Sequence, residues 1–182
     1  MFFRFYNQPG RNLPQEKQRE LRNELLTIAQ TCLHPVPDYQ CLSSRPDALE
    51  NKLIVVAYNG TDPENDEAGT KEQPPSAVGF TSAMYLDVPD VEHAVLHTGL
   101  TVAVPAVQRT GILAHLFSQL FLHVMPLHPD GMWVTTLAAV LSSLVQSEKV
   151  LYNTYPCPAT PENPSLSPPP ATARAPGDRA RN

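Results

Sequence analysis

Hydrophobic positions recur at helical spacing in two stretches of the chain. In PQEKQRELRNELLTIAQTCL, beginning at Pro14, the residues Leu21, Leu25, Ile28, Cys32 and Leu33 form one stripe with the charges opposite, which predicts a helix over 14–33. Pro14 suits the first turn, where its missing N–H costs nothing, and Pro35 stops the helix. In AVQRTGILAHLFSQLFLHVMP, Leu113, Leu116, Phe117, Leu120, Phe121 and Val124 fall at i, i+3, i+4, i+7, i+8 and i+11, predicting a second helix over 109–125. Elsewhere the pattern is shorter and richer in β-branched residues. KLIVVAYN (52–59) and AVGFTSAMYLDV (77–88) read as two strands of a hairpin whose tip, 59–76, has almost nothing apolar to bury and is expected to be a mobile loop. HAVLHTGLTVAVP (93–105) reads as a strand ended by Pro105, and GMWVTTLAAV (131–140) as another. AAVLSSLVQSE (138–148) suits a short helix, and VLYNTYPCP (150–158) is either a last strand or the end of that helix. The order implies an α+β fold of three layers, a mixed, mostly antiparallel twisted sheet flanked by helices.

Composition changes this picture at one end. Eight of the 20 prolines fall in 156–182, so residues 1–155 are read as one domain and 156–182 as a disordered Pro-rich tail. The net charge of -5 leaves no general basic footprint, which argues against nucleic acid as a partner. No run of about 18 apolar residues suggests a membrane partner, and the apolar start of MFFRFYNQPG, interrupted by Arg4, is too short for a signal-peptide core. A cytoplasmic protein is expected, with the nucleus also open to it. Cys32, Cys41 and Cys157 are odd in number and lack metal-ligand spacing, so they are read as thiols.

The candidate chemistry lies in LTVAVPAVQRTGILAHLF (100–117), where a strand ends, a short loop follows and a helix begins near Arg109. A helix start exposes backbone N–H groups without internal partners, and an anion is their natural ligand. Gly111 would let a phosphate reach the backbone and Arg109 would add charge; alternatively, Gly111 only permits close helix–sheet packing.

The run Val104-Pro105-x-x-Gln108-x-x-Gly111-x-Leu113-Ala114 resembles the acyl-CoA signature of the Gcn5-related N-acetyltransferase (GNAT) superfamily, and the order of elements across 52–147 agrees with it. The resemblance implies an acetyl-CoA-dependent N-acyltransferase acting on an amine by direct attack in a ternary complex. It implies that the strands at 95–104 and 131–137 splay apart around the CoA arm. The pyrophosphate would lie on the amides of Gln108, Arg109, Thr110, Gly111, Ile112, Leu113 and Ala114. The strand edge through Val102 and Val104 would pair with the pantetheine amides. An amide near Thr101 or Val102 would polarise the thioester carbonyl. His97 and Glu92 are the candidate bases, and Tyr152 or Tyr155 the candidate donor to the thiolate.

Two departures qualify the match. Leu113 stands where the family prefers Gly or Ala, and the sequence after 148 has room for one strand at most, so the far arm of the sheet is expected to be shortened. A non-catalytic module that binds CoA or a protein partner is therefore the competing reading, and an open sheet edge would favour a homodimer. No metal is expected: His93 and His97, four apart, would converge only on a helix, and the Asp62-Glu64-Asp66-Glu67 cluster lacks the spacing of a calcium loop. GxGxxG, GxxxxGK[ST] and GxSxG are absent, leaving dinucleotide, P-loop and serine-hydrolase chemistry without support.

Overall fold

A computed structural model describes residues 1–62 and 75–137 of the chain. Five strands form one sheet in the order β1-β2-β3-β4-β5: β1 (Phe2–Asn7), β2 (Leu53–Asn59), β3 (Ser76–Leu86), β4 (Val95–Ala103) and β5 (Trp133–Thr136). The first four pair antiparallel, and β5 joins β4 in parallel. Helices α1 (Pro9–Asn12) and α2 (Gln15–Gln30) precede β2, and α3 (Ile112–Val124) links β4 to β5. The mixed sheet between helices is the expected architecture.

Both faces of the sheet are covered, which explains why β2 is an unbroken apolar run instead of an alternating one. Ile54, Val56 and Tyr58 face Leu21, Leu25 and Ile28 of α2 together with Phe80 and Val102. Leu53, Val55 and Ala57 face Ile112, Leu116, Leu120 and Val124 of α3. Each fully buried leucine contributes roughly 1.5–3 kcal/mol, so these two stripes hold the layers together.

The structure adjusts several expectations. β1 has no counterpart among the expected elements because its aromatic residues serve both faces: Phe2 and Tyr6 pack with the α2 layer, and Phe3 and Phe5 with the α3 layer. Helix α3 begins at Ile112 instead of near Arg109, since Arg109 (φ 69) and Gly111 (φ 82) both lie in the left-handed region. Its buried ridge runs through Ile112, Leu116, Leu120 and Val124, which leaves Leu113 exposed. The expected helix over 138–148, the segment 150–158 and the tail lie outside the described residues, as does most of the 59–76 loop.

Candidate acyl-CoA site

Strand β4 changes its phase halfway along. Before the change, the Trp133 amide donates to the Ala94 carbonyl, and β4 and β5 pair from Val95↔Trp133 to Thr98↔Thr136. The N–H and C=O of the even-numbered residues of β4 therefore face β5 in this half. A bulge opposite Ser82 then shifts the register, which passes from Ala83↔Thr98 to Thr81↔Thr101. Beyond it the Val104 amide donates to the Val78 carbonyl of β3 at 2.9 Å. Because amides alternate along a strand, Val102 and Val104 face β3, while Thr101 and Ala103 face the side where β5 has ended. The expected edge through Val102 and Val104 is thus replaced by one through Thr101 and Ala103. A one-residue insertion in the ladder is the cause, and the motif gave no sign of it.

At the bulge the Leu100 amide leaves the ladder and donates to the side-chain carbonyl of Gln40 at 2.8 Å. The Ser82 hydroxyl donates to the Leu100 carbonyl at 3.2 Å. Neither Gln40 nor Leu100 stood out in the sequence, because a contact spanning 60 positions leaves no local pattern.

From β4 the chain passes through a 3-10 turn (Pro105–Val107) into the loop that precedes α3. The Gln108 side chain folds back and donates to the Ala103 carbonyl at 3.0 Å, and the Cys32 thiol donates to the same oxygen at 3.1 Å. This brace ties the loop to the end of β4 and to the end of α2. The first amide of α3 to find a partner is that of His115, on the Gly111 carbonyl at 3.2 Å. Those of Gly111, Ile112, Leu113 and Ala114 make no hydrogen bond among the described residues, as a helix start dictates. Among the described residues a Cβ built on Gly111 would meet nothing within 4 Å, so close helix–sheet packing is not its reason for being glycine. Arg109 and Thr110 are exposed beside it.

His97 lies on the same face as Gln40 and Gly99, with Nδ1 3.0 Å from the Thr135 hydroxyl of β5. Strand geometry puts it about 6–7 Å along β4 from Gly99. Its cross-strand neighbour Met84 touches the Lys52 ammonium through sulfur at 3.4 Å. Burial lowers the pKa of Lys52. The Cys41 thiol, also on this face, is pushed up to about 11 by burial and is no nucleophile near neutrality. Glu92 sits exposed before the first residue of β4, at the opposite end of the strand from Leu100, and makes no polar contact among the described residues. Tyr152 and Tyr155 lie outside the described residues. Among the described residues no group of three His, Cys, Asp or Glu side chains could hold a metal, and no helix is long and apolar enough to cross a membrane.

No protein-family model matches the sequence, and no curated protein matches it in sequence. Solved structures do match in fold. An aminoglycoside acetyltransferase from an uncultured soil metagenomic sample, solved with sisomicin, superposes with a TM-score of 0.53 at 14% identity over 84% of this chain and 88% of its own. The ribosomal-protein-alanine N-acetyltransferase of Brucella melitensis biovar Abortus 2308 gives 0.51 at 11% identity over 85% of this chain and 94% of its own. A second soil metagenomic aminoglycoside acetyltransferase gives 0.51 at 14% identity over 86% and 99%. The chain has the GNAT fold.

Proposed function

We propose that this chain is an acyl-CoA-dependent N-acyltransferase, with acetyl-CoA the donor and an amine the acceptor. One juxtaposition carries the reading: the half of β4 that β5 leaves open, Gly99–Ala103, runs directly into the loop whose amides at Gly111–Ala114 have no partner among the described residues. The fit is physical. Unpaired N–H groups at a helix start favour a diphosphate, and no atom of the described residues lies within 4 Å of a Gly111 Cβ to block the approach. Thr101 presents its N–H and C=O, and Ala103 its N–H, to which an extended pantetheine could bond as an added strand does.

Bound acetyl-CoA would supply a thioester carbonyl open to attack. The amine nitrogen forms a bond to that carbon, the C–S bond breaks, and the sulfur leaves as a thiolate. While the tetrahedral carbon exists, negative charge on its oxygen needs a fixed donor, a role we give to the Leu100 amide that the bulge aims out of the sheet. The attacking nitrogen must shed a proton. In the tautomer that donates Nδ1–H to Thr135, the His97 ring presents Nε2 as the acceptor, directly or through water.

Purified full-length protein tests this. Acetyl-CoA should raise the melting temperature, and adding an amine from a panel of aminoglycosides, polyamines and peptides should release CoA thiol. Stabilisation without turnover on any amine would favour the non-catalytic CoA-binding module, and no stabilisation at saturating acetyl-CoA would end both readings.

A further inference from the structure

Gln40 occupies the Leu100 amide in a manner that the fold has had to make room for. The residue opens a 3-10 turn (Gln40–Leu42) with φ 53, a left-handed conformation that a residue bearing a Cβ adopts at a cost. Cys41 and Leu42 anchor the turn in the core, and the Ser44 amide and hydroxyl fix its far side to the Asp38 carboxylate at 2.6 and 3.1 Å. From there the Gln40 side chain crosses above Gly99. A Cβ on Gly99 would lie 2.5 Å from Oε1 of Gln40 and 2.9 Å from the Ser82 hydroxyl, so only glycine admits the carboxamide at this position. The oxygen it delivers is a planar sp² carbonyl, the same acceptor type as the thioester oxygen.

Resting on the transferase reading above, we infer that Gln40 is an internal stand-in for the acyl carbonyl, which acyl-CoA displaces from the Leu100 amide when it binds. Its consequence is specificity for the acyl state. Ligands with a thioester carbonyl compete with Gln40, whereas ligands that share the CoA portion but lack the carbonyl do not. A turn between α2 and β2 thereby registers whether the bound CoA is acylated. The opposing possibility is that Gln40 is a fixed strut that holds the bulge in shape.

Calorimetric titration of the full-length protein with acetyl-CoA and with S-ethyl-CoA, a thioether of nearly the same size, separates these. In Gln40→Ala the amide is free, and acetyl-CoA should bind roughly 2- to 10-fold more tightly, the value of one hydrogen bond, while S-ethyl-CoA binds as before. In the isosteric Gln40→Glu a charged oxygen holds the amide harder, so acetyl-CoA should weaken relative to S-ethyl-CoA. Glutamate also keeps the shape of the turn should the alanine variant fail to fold. Parallel weakening of both ligands in Gln40→Ala, or no change in the acetyl-CoA to S-ethyl-CoA ratio in either variant, would overturn the inference and leave the transferase standing. Failure of the unsubstituted protein to bind either ligand would overturn the transferase reading and this inference with it.

Discussion

The two halves of β4 are built from similar residues and behave as different objects. From Val95 to Thr98 the strand is paired on both sides, with β3 and with β5, and its side chains are mostly buried. From Gly99 to Ala103 it keeps β3 but has no β5 partner among the described residues, and its peptide groups change the side they face. The first half is a structural member, and the second is an edge held inside a sheet. The bulge at Gly99 and Leu100 converts one into the other, because a single extra residue both turns an amide out of the ladder and reverses the phase of those that follow. An edge of this kind would ordinarily invite a further strand. Here it sits beside a helix start whose first amides are unpaired among the described residues, and the pairing partner need not be protein.

Substitutions can break that contrast, beginning with the largest effect. Gly111→Trp places a bulky ring where the open half meets the helix start. CoA affinity measured by titration should fall at least about 100-fold, while strain at φ 82 costs the fold only roughly 1–2 kcal/mol. An unaltered affinity in a folded variant would separate the anion loop from the open edge and undo their joint reading. His97→Ala acts at the junction of the halves. It should lower the rate by roughly 100-fold or more and alter the pH–rate profile at nearly unchanged CoA affinity, and a profile identical to that of the parent would remove His97 as the base. Gln108→Ala loosens only the tether of the open half. The lost hydrogen bond to Ala103 should cost about 1 kcal/mol in denaturant unfolding and a few-fold in CoA affinity. A variant that loses stability and keeps its CoA affinity would confine Gln108 to the scaffold.

What the sequence disclosed follows a physical rule. Elements with one buried stripe, such as α2 and α3, announce themselves by period, and β2 and β4 by density of β-branched residues. The strand β1 escaped because Phe2, Phe3, Phe5 and Tyr6 serve two layers at once, which erases the alternation on which a strand is recognised. At the candidate site, the helix start beside Gly111 was legible from spacing. The phase of β4 was not, since a bulge depends on the partner strand. Gln40 was hidden for a related reason: it comes to the site through a turn distant in the chain, and its significance is a single oxygen atom. Cys32 and Gln108 meet on one carbonyl across 76 positions, a proximity that neither local sequence implies. Because the proposed grip is made by peptide groups, side chains around it can drift, which agrees with a shared fold at 14% identity.

The Ala103 carbonyl, saturated by a thiol on one side and a carboxamide on the other, has a further meaning. With its acceptor spent and the Val104 amide held by Val78, the last residue of the strand offers a visitor only its own N–H, never a lone pair. A linear molecule laid along this edge, as we propose for the donor, would therefore be read for direction: it would be satisfied there by presenting an oxygen, and one arriving reversed would find its own N–H stranded.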